Sequence, residues 1–228
     1  MNHTSLKIAL VSLINKRKHF CINKDLNGGA GTADDYDGSW GARIIRFVRK
    51  KINTLPVTLF GNLQAIFKQL GNDVVFIETH DLSQITEKFD ILLIYGSIVE
   101  LNHENEQAEA YKKNHPNTKV GFCGTFPAAQ PHLFTGGDFV VKGESEYFFL
   151  KEFNNLDQLN GHVPVSALTD LNEIPPPNLE GFPIKKFSYA PAILEKPFYF
   201  IQASFGCPYS CGYYCTYGEY QGPKIRQR

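Results

Sequence analysis

Apolar residues fall into five short runs over the first two thirds of the chain, at positions 7–13, 73–77, 90–95, 119–122 and 138–142, each rich in Val, Ile, Leu or Phe. None shows the strict apolar/polar alternation of a strand with one wet face. Runs this apolar suit a parallel sheet covered on both sides. Helical patterns lie between them. "LPVTLFGNLQAIFKQLG" (55–71) has Pro56 near its start, apolar residues at helical spacing, and Gly71 where a helix would end. "HENEQAEAYKKNHP" (103–116) reads as a polar helix stopped by Pro116. Strand alternating with helix predicts an α/β domain over 1–165, a doubly wound (Rossmann-like) parallel sheet with right-handed crossovers.

Residues 15–55 interrupt that plan. "NKDLNGGAGTADDYDGSWG" (23–41) is a long Gly- and Asp-rich loop. Its "GGAGT" is only loosely similar to a phosphate-cradling turn, since it follows no clear strand. "ARIIRFVRKKI" (42–52) is an amphipathic helix with Arg43, Arg46 and Lys50 on one side and Ile44, Phe47 and Val48 turned elsewhere. It reads either as a helix with a solvated basic face or as a lid with an anion-binding side. Residues 166–192 form a proline-rich linker with little periodicity. A new strand is expected over 196–204, "KPFYFIQAS", running directly into a cysteine cluster.

Composition narrows the function classes. Hydrophobic residues make up 43% of the 228 and charged residues 20%, enough for a sizeable core. Basic and acidic residues number 23 each, so no overall field draws the chain toward nucleic acid or an acidic membrane. The apolar stretches are well short of the ~20 residues that span a bilayer, and the start lacks a secretory signal pattern. A cytoplasmic protein with neither a nucleic-acid nor a membrane partner is expected.

Five cysteines are an odd number, unlike a disulfide framework. Cys21 and Cys123 stand alone and read as buried or incidental thiols. Cys207, Cys211 and Cys215 lie within nine residues, in "ASFGCPYSCGYYCTYGEYQG" (203–222). Thiolates are soft ligands, and close spacing lets one loop wrap a metal. Structural zinc asks for a fourth ligand, yet no His or Cys follows Cys215. A redox pair would favour a spacing of two. Three thiols on one loop fit an iron–sulfur cluster with one iron left open. A structural metal knuckle is the plainer alternative.

"FGCPYSCGYYCTY" (205–217) resembles the cluster loop of the radical S-adenosylmethionine enzymes, and the preceding domain, linker and strand resemble the cobalamin-binding subgroup of that family. "NHPNTKVGFCGTFPAAQP" (114–131) is similar to the subgroup's fourth strand and glycine turn. "DFVVKGESEYFF" (138–149) is similar to its fifth strand, followed by a Gly-Glu-x-Glu turn at Gly143, Glu144 and Glu146. The resemblance implies a 4Fe–4S cluster held by Cys207, Cys211 and Cys215, with Tyr214 near the adenine of S-adenosylmethionine. It also implies cobalamin at the carboxyl ends of the strands, near Gly96, Ser97, Gly121, Gly124, Thr125, Gly143 and Glu144. The implied chemistry is reductive cleavage of S-adenosylmethionine to a 5′-deoxyadenosyl radical, hydrogen abstraction from a small-molecule substrate, and methyl transfer through cobalamin. A flavodoxin or ferredoxin would supply the electron.

Two departures stand out. The family spaces its cysteines by three residues and then two, whereas "GYY" separates Cys211 from Cys215, an extra residue that Gly212 could absorb as a bulge. The Asp-x-His-x-x-Gly motif that supplies an imidazole to cobalt is absent, so any cobalamin would lack a His ligand from that turn. Residues 193–228 are too few for a (β/α) barrel. The expectation is therefore an N-terminal fragment holding the barrel's first strand and cluster loop. The alternative is a corrinoid- or nucleotide-binding module with a vestigial cysteine loop.

Overall fold

The computed structural model describes residues 5–14, 39–166, 169–189, 193–209, 211 and 215–228. In chain order the strands are β1 (Lys7–Leu13), β2 (Asn53–Thr54), β3 (Asp73–Thr79), β4 (Ile91–Tyr95), β5 (Lys119–Cys123), β6 (Phe139–Lys142), β7 (Gly161–Pro164), β8 (Ser188–Tyr189), β9 (Ser204–Phe205) and β10 (Arg226–Gln227). The α-helices are α1 (Trp40–Ile52), α2 (Thr58–Gln69), α3 (Leu101–Asn114), α4 (Thr125–Ala129), α5 (Ser145–Tyr147) and α6 (Tyr217–Gln221). Among the described residues no helix is long and apolar enough to cross a membrane.

Six strands form one all-parallel sheet in the order β3-β1-β4-β5-β6-β7. This is an α/β, Rossmann-like fold. Its core explains the apolar runs. Along β1, Ile8 and Leu10 pack into one cluster while Ala9, Val11 and Leu13 pack into another on the opposite face. Leu59, Phe60, Leu63, Ile66 and Phe67 of α2 cover the first face, and Ala108 and Tyr111 of α3 help to cover the second. With both faces dry, neither strand face can be polar.

The chain leaves β1 for β3 on one side and returns to β4 on the other, so strand order reverses between β1 and β4. A crevice at the carboxyl ends of the strands is where such sheets receive ligands.

Three elements differ from expectation. A sixth strand, β7, was not legible: it is four residues long with a Pro at its end, and it pairs along one edge, where a missing N–H is tolerated. The described part of the 166–192 linker contributes to the core, because Leu171, Ile174, Phe182 and Phe187 are buried against the sheet's first face. Of the strand expected over 196–204 only Ser204 is extended in a ladder, as the first residue of β9, which pairs antiparallel with β10. The aromatics of that segment pack against the domain instead, with Tyr199 donating to the carbonyl of Thr58 at 3.2 Å.

Candidate functional site

The cysteine loop grows from the β9–β10 pair. Gly206 follows β9 at φ +98°, and a Cβ there would lie 1.9 Å from the Lys224 carbonyl oxygen, so the turn demands glycine. Its N–H donates to Gln221 Oε1 at 3.0 Å. The next N–H, of Cys207, donates to the Gly222 carbonyl at 3.1 Å. The loop thus leaves and re-enters a fixed base, with α6 returning the chain from Cys215 to Gly222.

Cys207 is half-buried, Cys211 and Cys215 are exposed, and all three are free thiols. They line one cavity of about 240 Å³ together with Tyr209, Glu219 and Pro223. Among the described residues no three His, Cys, Asp or Glu side chains converge as ligands of a single ion. A cluster asks for a different arrangement, since its thiolates sit on separate irons around a shared core. Cys207, Cys211 and Cys215 are three free soft donors around one cavity. Tyr214, expected near the adenine, and Gly212 and Tyr213, expected to absorb the extra residue, lie outside the described residues, as do Cys21 and the "GGAGT" turn.

Two glutamates of the turn after β6 hold this base to the α/β domain. Glu144, 1% exposed, accepts from both terminal guanidinium nitrogens of Arg226 of β10, one contact being Nη1 to Oε2 at 3.0 Å. Arg226 also lies over the Phe205 ring, 5.9 Å from its centroid. Glu146 is fully buried and accepts from Tyr220 Oη of α6 at 3.0 Å and from Asn62 Nδ2 of α2 at 3.2 Å. Burial pushes the Glu146 carboxyl up to about 7 against those two donations, and the Glu144 charge adds to the rise. Tyr220 is likewise driven well above the ordinary tyrosine range by burial and by Glu146.

Beside these contacts, at the carboxyl ends of β4 and β5, lies a second cavity of about 170 Å³. Tyr95, Thr125 and Glu146 of the α/β domain line it together with Phe200, Ile201 and Tyr217 of the C-terminal segment. Thr125 Oγ1 is buried there without a hydrogen-bond partner. No family model matches the chain, and no curated protein matches it. The site must therefore be read from its own geometry.

The residues expected around cobalamin are otherwise engaged in the fold. A Cβ on Gly96 would lie 2.5 Å from Pro127, one on Gly121 would lie 2.3 Å from the Phe139 ring, and one on Gly124 would lie 2.8 Å from the Tyr95 ring. Gly143, at φ +136°, abuts the Val165 carbonyl. These glycines make room for the protein's own side chains and backbone. The Ser97 N–H donates to buried Glu104 at 2.8 Å, and its hydroxyl accepts from the Glu100 N–H. Glu144 holds Arg226. The described crevice is smaller than the ~300–1,000 Å³ of ordinary ligand pockets, let alone a corrin ring. It does not fit cobalamin in this arrangement, although Thr125 Oγ1 and, in the neighbouring turns, Ser145 Oγ and Glu100 Oε2 are buried without a hydrogen-bond partner.

Sequence reasoning passed over Asn62, Tyr220 and Arg226, and placed Glu146 in the Gly-Glu-x-Glu turn without giving it a role. One signal was present: Asn62 and Gln64 are polar positions on the core side of an apolar helix, and buried polar groups imply a partner.

Proposed function

We propose that the chain carries the α/β domain and cluster loop of a radical S-adenosylmethionine enzyme, with an architecture that resembles the cobalamin-binding subgroup. One observation carries this reading: three free cysteines of one short loop line a single cavity, on a base clamped to the carboxyl-end side of a parallel sheet. Cys207, Cys211 and Cys215 would each hold one iron of a 4Fe–4S cluster, leaving the fourth open. Such a cluster supplies the electron that cleaves S-adenosylmethionine reductively.

The chain's own residues have definable tasks in that setting. Gly206, Gln221 and Gly222 fix where the loop starts and ends. Half-burial of Cys207 shields one ligand from water, and the ion pair between Glu144 and Arg226 sets the loop's position on the domain. Cobalamin enters the reading through the resemblance and the sheet's order reversal; no step is assigned to it, because the crevice does not accommodate it. A flavodoxin- or ferredoxin-type electron donor, a small-molecule substrate and a cytoplasmic setting belong to the same proposal.

The test is anaerobic reconstitution with iron and sulfide. The chain should turn brown and retain both elements. Replacing Cys207, Cys211 or Cys215 with Ala should each remove most of the iron, whereas Cys123→Ala and Cys21→Ala should not. Equal loss from all five substitutions refutes the assignment.

A further inference from the structure

The chain is neutral overall, yet α1 concentrates charge. Its 13 residues include Arg43, Arg46, Arg49, Lys50 and Lys51 and no acidic residue. At helical spacing the three arginines and Lys50 share one arc, while Trp40, Ile44, Ile45, Val48 and Ile52 share the opposite one. Lys51, in the last turn, is the one basic residue on the apolar side.

An amphipathic helix on a globular domain normally turns its apolar stripe inward. Here the stripe faces out: Trp40 is 77% exposed, Ile44 58% and Ile45 59%. The helix is nevertheless fastened to the body, because it runs into β2, which pairs with β8. Tyr189 of β8 is itself 38% exposed.

We infer that α1 is a membrane-surface anchor, its apolar arc entering the interface of an anionic bilayer while its basic arc meets the headgroups. High amphipathicity, low net hydrophobicity, a basic polar face and a Trp on the other face are the marks of helices that lie in that interface. α1 joins the body at its C-terminal end, through β2 and β8, and leaves its described apolar side chains open to solvent. A bilayer needs one exposed side only. Anionic lipid supplies apolar depth and negative charge together, complementing both arcs without a shaped groove. The neutrality that argues against membrane attraction for the chain as a whole conceals this local excess.

Trp40 is the sole tryptophan, so its emission reports the environment of the helix directly. The full chain should show a blue shift with vesicles of phosphatidylcholine and phosphatidylglycerol, and none with phosphatidylcholine alone. High salt should reverse it. Vesicle partitioning of Arg43→Gln/Arg49→Gln should fall by about fivefold per charge removed, with an unchanged urea midpoint showing that the fold survives. Ile44→Ser/Ile45→Ser should lose the blue shift. Emission indifferent to anionic vesicles, or equal binding to both vesicle types, overturns the inference. So does a dimeric mass by light scattering with Trp40 already blue-shifted in the absence of lipid, which would mean that a second copy covers the helix.

Discussion

Replacing Glu146 with Gln should flatten the pH dependence of folding. Glu146 sits fully buried between Tyr220, Asn62 and the nearby Glu144, and its pKa rises from 4.5 to about 7. At about 1.4 kcal/mol per pH unit, ionising it costs the folded state about 3 kcal/mol more than it costs the unfolded chain. Below 4.5 the carboxyl is protonated in both states and the penalty is absent. As pH rises from 4.5 to 7 the folded chain keeps a proton that the unfolded chain releases, so stability falls. Above 7 the penalty is complete. Glutamine cannot ionise; its amide oxygen can still accept from Asn62 Nδ2, while its NH2 must donate to Tyr220 Oη and so reverse that bond. Imperfect geometry costs about 1 kcal/mol at every pH. Urea unfolding between about pH 5 and pH 8 should therefore show the variant slightly weaker than the parent at the acid end and stronger, by up to about 2 kcal/mol, at the alkaline end. Parallel pH profiles for the two proteins would mean that Glu146 does not carry this proton.

The clamp on the cysteine loop gives two further tests. Arg226→Met leaves Glu144 buried without its partner and should cost about 3–5 kcal/mol in urea unfolding, whereas Arg226→Met combined with Glu144→Leu should cost less than the single change; a double variant as unstable as the sum of both singles would contradict the pairing. Gly206→Ala places a methyl against the Lys224 carbonyl at a positive φ, so the β9–β10 pair should open and Cys207 should react with a thiol reagent as readily as exposed Cys211. Unchanged Cys207 reactivity would show that the loop base is not held there.

The five apolar runs located five strands of the sheet because the inner strands, such as β1 and β4, are covered on both faces and have no room for polar alternation; β3, at the edge, is only partly covered. Gly71 marked the end of α2 and indeed takes a positive φ of 80°. What was hidden depends on contacts distant in sequence. The segment at 196–204 is as apolar and aromatic as a strand, yet Tyr199 reaches back to α2 and only β9 finds a pairing partner, in β10. Glu144 stands in a turn that suggests a cofactor contact, and nothing local reveals that Arg226 occupies it. The apolar side of α1 is readable from spacing, but whether it faces a core or solvent is a property of the whole fold. That Cys207, Cys211 and Cys215 share one cavity follows from their closeness in sequence.

The central claim is that one loop holds a cluster rather than a lone ion. Mössbauer spectroscopy of the chain reconstituted anaerobically with ⁵⁷Fe and sulfide tests it most directly. A 4Fe–4S assembly held by Cys207, Cys211 and Cys215 predicts about four irons per chain in one quadrupole-split, diamagnetic species, lost in the Cys211→Ala variant. A single high-spin iron per chain without sulfide, or iron that survives removal of all three thiols, would contradict it.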